Sequence, residues 1–437
     1  MEQPAHILQR KYLTYIAVFN GARAYVNSTV ILFLVDVAKL PIAATALLLA
    51  VDLIATFFAE IPTGLYADKI GRHRSFVYGC GFTCFGFIVF ASLPWWANVD
   101  SSMNALIILA AIAEAIASIG FAFQSGSLDA WVVTHLRARG DSSKALITLA
   151  HGQTTKNIAY MLAGIAGIAH YYLVGPDQQL LSTFSVAAML ILGLTLFALH
   201  QEKIEQPLQL PSSQLRSHSN AIGISGTITI FKEAWAELIN KKKLLLLILA
   251  GATCYTLVQL IAFYWPYLLV KEMLSSTSLG TLGLIISWLV AYGFRALGNY
   301  ATRFVTSRPL LLTRSLILSV VIGSVVTVLL CLLTGTYNPN ETGIVMMVFA
   351  TLLYGLVRLT DGFADPIRQW FISESADSER LATMFSIASF FALGVSAVIA
   401  IAVAQLLDQG VTVSTILITA AVFQLCSVPL YFYATKH

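Results

Sequence analysis

The stretch GLYADKIGRHR, running from Gly64 through Asp68, Gly71 and Arg72 to Arg74, joins two long apolar segments. Gly64 would let another helix approach closely, and Gly71 favours a tight turn because glycine adopts backbone angles that other residues avoid. Asp68 can interact with a helix N-terminus, and Arg72 can pair with a carboxylate such as Asp129. The stretch therefore predicts two helices joined by a tight turn, with a charged cluster beside it.

The segments around this stretch have the composition of membrane helices. The chain contains 57% hydrophobic and only 11% charged residues, whereas soluble domains carry about 25% charged residues. A membrane helix needs about 20 apolar residues. Twelve stretches qualify, at about 11–37, 41–66, 75–97, 103–129, 145–170, 180–200, 244–270, 278–299, 310–333, 343–366, 381–407 and 411–434. The sequence therefore predicts an all-α membrane protein with twelve transmembrane helices.

The placement of lysine and arginine predicts how these helices are oriented. Most of the 26 basic residues fall in the even-numbered connections or near the termini, and only Lys39 and Lys271 lie in connections on the opposite side. Basic loops stay in the cytoplasm. Both termini are therefore expected to be cytoplasmic.

A weaker second copy of the opening stretch occurs at Leu297–Phe304, with the sequence LGNYATRF. Its Gly298, Tyr300 and Ala301 repeat the order of glycine, tyrosine and alanine in TGLYADKIG at 63–71. Internal repeats of this kind are typical of transporters. They predict two related six-helix bundles, at 1–200 and 244–437.

The connection between these bundles, 201–243, is the longest loop. Its first part is polar and rich in proline and serine, which favours flexibility. Its second part places apolar residues on one helical face, namely Ile228, Phe231, Trp235, Leu238 and Ile239. This pattern predicts an amphipathic helix on the cytoplasmic membrane surface.

The opening stretch resembles the loop between helices two and three of the major facilitator superfamily, which has the pattern G-x-x-x-D-[RK]-x-G-[RK]-x-[RK]. The resemblance implies that the charged cluster, with Asp129, closes a cytoplasmic gate, and that helices one, four, seven and ten line a central cavity. Three features depart from family patterns. The second copy has Thr302 in place of an aspartate, helix five lacks the G-x-x-x-G-P-x-x-G-G motif of drug antiporters, and Glu114 stands where those antiporters often carry arginine.

Charged residues at bilayer depth are costly and mark functional sites. Polar residues recur at steps of three or four along helices one, four, five, seven and ten, which places them on one face of each helix. Ten of them are our candidates for a substrate cavity: Asn20, Arg23, Asn27, Glu114, Lys156, Asn157, Tyr255, Gln259, Tyr354 and Arg358.

The charged members of this set predict two kinds of chemistry. Arg23 and Arg358 are candidates for binding a carboxylate or phosphate, because a guanidinium matches those groups with two hydrogen bonds. Asp52, Glu114 and Asp361 are candidates for proton coupling, since a carboxyl group can exchange a proton when its surroundings change. An alternative is that these charges form ion pairs, such as Arg23 with Glu114 or Asp52, that only fix helix packing.

Aromatic residues near the ends of the predicted helices suggest contacts with the lipid headgroups. Tyr264, Trp265 and Tyr267 end helix seven, and Trp95 and Trp96 end helix three. Aromatic residues at this depth usually form a belt at the membrane surface, and an external gate is the alternative for helix seven.

These features predict a secondary transporter that moves a small polar, charged or amphiphilic solute by alternating access, coupled to protons. Efflux and nutrient import, of a siderophore, amino acid or nucleoside, both stay open. A membrane-embedded enzyme is disfavoured because H-E-x-x-H and G-x-S-x-G are absent, and a non-transporting receptor is a third class. The chain lacks a nucleotide-binding loop, and its basic residues form no patch for nucleic acid. We expect a monomer in a bacterial inner membrane, without a cofactor or metal.

Overall fold

The computed structural model describes residues 5–97, 102–124, 127–138, 142–174, 179–204, 235–236, 238–273, 277–305, 309–335, 343–375 and 381–435. These residues form helices and short connections, with no β-strand among them. The twelve main helices are α1 (Ala5–Asn27), α2 (Ile42–Ile70), α3 (Arg72–Ala97), α4 (Met103–Gln124), α5 (Ser142–Val174), α6 (Gln179–Ile204), α7 (Lys242–Tyr267), α8 (Thr277–Ala301), α9 (Pro309–Gly335), α10 (Gly343–Ser375), α11 (Leu381–Asp408) and α12 (Val413–Leu425).

Short helical segments follow five of these helices, including a 3-10 helix at Thr302–Phe304 after α8. Val30–Leu32 and a π-helix at Phe33–Val37 follow α1, Ser127–Ala138 follows α4, a π-helix at Leu268–Met273 follows α7, and Ser427–Thr435 follows α12. Eleven of the described helices are long and apolar enough to cross a membrane, and the bent first helix makes twelve if it is counted as one span.

The sequence predicted one continuous helix for the first span, at about 11–37. The structure instead has a bend within this span. The chain bends by 41° between α1 and Val30–Val37. The bend follows three polar residues, and the hydroxyl of Ser28 donates a hydrogen bond to the carbonyl oxygen of Tyr25 at 3.2 Å. Serine hydroxyls that bond back to the preceding turn often bend helices. The bend turns the outer part of this span towards α7.

Helix packing follows one scheme in each half of the chain. Within α1–α6, α2 packs on α4, α1 on α5 and α3 on α6. Within α7–α12, the corresponding pairs are α8 on α10, α7 on α11 and α9 on α12. Helices of the two halves meet mainly where α2 packs on α11 and α5 on α8. A cavity lies between the halves, lined by residues of both.

The contact between α8 and α10 is so close that glycines face backbone atoms. A Cβ atom placed on Gly298 would collide with the carbonyl oxygen of Leu359 and lie 2.8 Å from the backbone nitrogen of Phe363. A Cβ atom on Gly362 would collide with the carbonyl oxygen of Arg295. Small residues allow this approach in membrane helices, so the glycine of the second sequence copy sets the distance between α8 and α10.

We expect Gly298→Ala to destabilise the protein by about 1–3 kcal/mol, because overpacked backbone contacts cost that much. Gly293→Ala is the matched control on the same helix, since nothing lies within 4 Å of a Cβ atom at Gly293. The measurement is the melting temperature of each purified variant in detergent. Equal melting temperatures for the two variants would contradict the close packing of α8 and α10.

Only the end of the predicted amphipathic linker helix can be located. Ile228 and Phe231 lie outside the described residues. Leu238 is buried within an apolar cluster that includes Leu244, and the ring of Trp235 stacks on Phe391 of α11 with 5.5 Å between centroids. This end of the linker therefore packs against the helical bundle.

Candidate functional site

A cavity of about 400 Å³ lies between the two halves. Its walls come from α1, α2, α4 and α5 on one side and from α7, α8, α10 and α11 on the other. Its volume falls in the range of about 300–1,000 Å³ that is usual for small-molecule pockets. The cavity can therefore hold a metabolite-sized solute that contacts both halves at once.

Most residues predicted for the site line this cavity. They are Arg23, Asn27, Asp52, Glu114, Lys156, Asn157, Tyr255, Gln259, Tyr354, Arg358 and Asp361. Asn20 does not. It is buried, and its side-chain amide donates a hydrogen bond to the carbonyl oxygen of Ile16 on its own helix at 2.9 Å. The cavity prediction for Asn20 is therefore wrong, because its amide serves the backbone of α1.

Arg23 lies over an aromatic ring. Its guanidinium carbon is 3.9 Å from the centroid of the Phe121 ring, and such cation–π contacts hold a guanidinium in place. Within the described residues, no carboxylate oxygen lies within the 4.0 Å that defines a salt bridge to Arg23. The predicted alternative, an ion pair of Arg23 with Glu114 or Asp52, is not formed in this conformation.

Two carboxyl groups share the wall formed by α2 and α4. Asp52 accepts a hydrogen bond from the hydroxyl of Ser118 at 2.6 Å. Glu114, one turn before Ser118, interacts electrostatically with Asp52 and with Arg23. The first half therefore presents two neighbouring acids and one cation to the cavity.

In the second half, the buried carboxylate of Asp361 has more cationic neighbours than the acid pair of the first half. Asp361 lies 3.4 Å from Arg295, 3.9 Å from Arg358 and 3.5 Å from Arg368. Arg368 also contacts Asp365 at 3.2 Å. One carboxylate thus holds three guanidinium groups from two helices, so Asp361 joins α8 to α10.

Arg358 keeps hydrogen-bonding capacity despite its burial. It is 4% exposed, and its Nε and Nη1 atoms have no hydrogen-bond partner among the described residues. Its nearest carboxylate oxygen, on Asp361, is at 3.9 Å, too long for a hydrogen bond. Unpaired buried donors are costly, and these two belong to a residue that lines the cavity.

The structure adds site residues that the sequence interpretation missed, namely Trp288, Tyr292, Arg295 and Arg368. The first three recur at helical spacing along α8, as do the stripes on the other helices. That spacing is the signal by which they could be identified from the sequence.

Side chains of the two halves interlock where α5 meets α8. The indole nitrogen of Trp288 donates a hydrogen bond to the carbonyl oxygen of Tyr160 at 2.8 Å. The ring fits against Gly164, where a Cβ atom would collide with it. At the other meeting point, Phe57 of α2 stacks on Phe390 of α11 with 3.8 Å between centroids. Aromatic side chains therefore take part in each of these two contacts.

The C-terminal end of α7 is buried in protein. Tyr264 and Trp265 are 0% and 2% exposed, and the Trp265 ring stacks on Tyr354 with 4.5 Å between centroids. The prediction of a lipid-facing belt is wrong for these two residues, because this end of the span packs against Val30–Leu32. Trp95 and Trp96 of α3 are exposed, as a belt requires.

The predicted gate cluster is only partly described. Gly71 has a φ of 100° and ends α2, and Arg72 begins α3, so the predicted turn is present. Asp129 accepts a hydrogen bond from the hydroxyl of Tyr12 at 2.7 Å, and its pairing with Arg72 stays a prediction. Arg74 is exposed, while the side-chain environments of Gly64 and Asp68 lie outside the description.

Comparisons with known proteins agree on one family. The model of the Major Facilitator Superfamily matches residues 12–401. A curated relative, the uncharacterized MFS-type transporter YxaM of Bacillus subtilis (strain 168), is 23% identical over 289 residues, which are 57% of this chain and 65% of that protein. The match thus spans just under two thirds of the length of that relative.

Solved structures share the fold over nearly their whole length. The nucleoside transporter NupG has a TM-score of 0.70 at 15% identity, covering 98% of this chain and 99% of that one. The POT family transporter PepTSo has a TM-score of 0.73 at 11% identity, covering 99% and 98%. A bacterial homologue of the iron transporter ferroportin has a TM-score of 0.71 at 13% identity, covering 100% of both. At these identities the likeness concerns the fold alone.

Proposed function

Because this chain belongs to the Major Facilitator Superfamily, we propose that it is a secondary transporter rather than an enzyme, and that it carries a small organic anion through the central cavity together with protons. The two halves, 1–200 and 244–437, would be pseudo-symmetric units that move against each other in alternating access. The repeated packing scheme of α1–α6 and α7–α12 supports this division. We place both termini in the cytoplasm and the protein, as a monomer, in a bacterial inner membrane.

The observation that carries the anion proposal is the surplus of unpaired cationic groups. The described cavity wall holds five cations against four carboxylates: Arg23, Lys156, Arg295, Arg358 and Arg368 against Asp52, Glu114, Asp361 and Asp365. Within the described residues, neither Arg23 nor Lys156 lies within salt-bridge distance of a carboxylate. A cavity for lipophilic cations would need the opposite balance, because an uncompensated buried charge is costly.

The halves offer complementary contacts to such an anion. Arg23 and Lys156 belong to the first half, and Arg358, with its two unpartnered donor atoms, belongs to the second. A solute held by both sets would favour conformations in which the halves lie close together around it. Ligands shift conformational equilibria only through such differential contacts.

The proton would be taken up by the acid pair of the first half. Asp52 repels Glu114 electrostatically, and Arg23 attracts Glu114. A solute anion that binds Arg23 would weaken this attraction and so favour uptake of a proton by the pair. If the anion and the proton bind together, an inward proton gradient can drive import of an acidic nutrient. Export would instead require exchange of one anion for another.

A thermal-shift screen of the purified full-length chain tests the charge of the solute. We expect organic carboxylates or phosphate esters to raise the melting temperature, because a ligand that binds only the folded state stabilises it. Uridine serves as a neutral comparison and tetraphenylphosphonium as a lipophilic cation. Stabilisation by the cation or by uridine, with none by any anion, would refute the proposal. Flux of the best anion in proteoliposomes then separates a transporter from a receptor.

A further inference from the structure

Three aromatic rings form a continuous wall of the cavity where the halves meet. Tyr160 of α5 lies 5.6 Å from Tyr292 of α8, and Trp288 lies 5.0 Å from Tyr292, both measured between ring centroids. All three residues line the cavity and are half-buried. Aromatic rings favour stacked or edge-to-face contacts with other rings at 4.5–7 Å. We call Tyr160, Trp288 and Tyr292 the aromatic wall.

A buried guanidinium with free donors lies beside this wall. The guanidinium carbon of Arg358 is 6.0 Å from the centroid of the Tyr292 ring. Its Nε and Nη1 atoms are buried and have no hydrogen-bond partner among the described residues. Arg358 lines the cavity, and a planar guanidinium can pair with the two oxygens of a carboxylate. The cavity thus offers a ring-binding surface next to a group that can bind an acid.

The charge and size of the cavity limit what can occupy both places. The five cations of its described wall exceed the four carboxylates by one, so a ligand with one negative charge balances them. The volume of about 400 Å³ leaves room for a ring of six to ten atoms with a short acidic side chain. An acid without a planar ring would leave the aromatic wall without a stacking partner.

We propose, on the basis of the anion transport proposed above, that the substrate is a planar aromatic acid. Its ring packs on the aromatic wall, and its carboxylate accepts hydrogen bonds from Arg358. Because Tyr160 and Tyr292 belong to different halves, the ring bridges the contact at which the halves must move. Aromatic specificity and the conformational change thereby depend on the same residues.

A simpler role for the aromatic wall is packing between the halves. Tyr160 and Tyr292 would then stabilise the contact of α5 with α8 without touching the solute. Loss of a packing contact would change the binding of all acids by a similar factor. A stacking role predicts that only acids with a planar ring lose affinity, so ring preference separates the two roles.

The test uses acids of matched size with the purified full-length chain. Phenylacetate carries a planar ring and a charge, cyclohexylacetate carries the charge without a planar ring, phenylacetamide carries the ring without the charge, and phenethylammonium carries the opposite charge. Thermal-shift titrations give an apparent Kd for each. We expect phenylacetate to bind about five-fold tighter than cyclohexylacetate, as expected for one aromatic contact, and the other two to bind more weakly still.

Three variants assign this preference to the wall. Tyr292→Leu should remove the difference between phenylacetate and cyclohexylacetate, while Tyr292→Phe, which keeps the ring, should retain it. Tyr433→Leu is the matched control, because Tyr433 is exposed on Ser427–Thr435 and does not line the cavity. If Tyr292→Leu lost the same affinity for both acids, the aromatic wall would only pack the two halves together. That result would overturn the inference.

The outcomes separate this inference from the anion proposal. Equal affinities of the wild type for phenylacetate and cyclohexylacetate, or binding of aliphatic acids alone, would overturn the aromatic preference and leave anion transport intact. Binding of phenethylammonium or phenylacetamide with no binding of either acid would overturn both. Failure of every acid and of every anion in the wider screen would also overturn both.

Discussion

Arg23→Gln should lower uptake of the best acid from the thermal-shift screen by about two orders of magnitude, because removal of one partner of a buried charge pair costs about 2–5 kcal/mol. Arg23 has no carboxylate partner within salt-bridge distance among the described residues, so its positive charge is available to the solute. The substitution also leaves Glu114 without the cation that attracts it. Initial rates of uptake into proteoliposomes measure the effect.

Two further variants show whether the charge or the fold is responsible. Arg314→Gln removes an arginine from α9 that does not line the cavity, and it should transport like the wild type. Arg23→Lys keeps the charge but loses the planar group, so it should retain part of the activity. If a correctly inserted Arg23→Gln protein took up the acid at the wild-type rate, Arg23 would not be part of the binding site.

Glu114→Gln should abolish proton-driven accumulation while leaving exchange of the solute intact. At one proton per solute molecule, a gradient of one pH unit can drive about ten-fold accumulation. Glutamine fills nearly the same space as glutamate but cannot exchange a proton, so this driving force should vanish. Counterflow of labelled solute in preloaded proteoliposomes, which needs no proton gradient, should continue.

Asp408→Asn provides the control for this variant. Asp408 is an exposed carboxylate at the end of α11 and does not line the cavity, so its removal should leave proton-driven accumulation unchanged. Asp52→Asn tests the other member of the acid pair and should impair coupling if the pair acts together. If Glu114→Gln still accumulated the solute fully in response to a pH gradient, a residue other than Glu114 would carry the coupled proton.

Much of the site could be predicted from sequence because membrane interiors exclude charge. Arg23, Glu114 and Arg358 stand out in apolar segments, and all three line the cavity. Their partners could not be predicted, since contacts between helices depend on how the helices pack. Arg295 and Arg368 acquire their role only when α8 brings Arg295 within 3.4 Å of Asp361 and α10 folds Arg368 towards the same carboxylate.

The errors have the same origin. Spacing along one helix places Asn20 on the same face as Arg23, but burial depends on neighbours, and Asn20 bonds to its own backbone instead. Trp265 stands near the end of an apolar stretch, where belt residues are common, yet Val30–Leu32 packs on α7 and Trp265 is buried. The bend after α1 could not be predicted either, because hydropathy measures length and apolarity but not local backbone geometry.

The glycines between α8 and α10 have a mechanical consequence. Backbone faces backbone at Gly298 and Gly362, and Asp361 ties the same two helices together through Arg295, so this joint is stiff and should travel as one block. The contacts of α2 with α11 and of α5 with α8 include the stacked pair Phe57–Phe390 and the hydrogen bond from Trp288 to Tyr160. We therefore expect α8 and α10 to move together, and any large rearrangement to be taken up where the two halves meet.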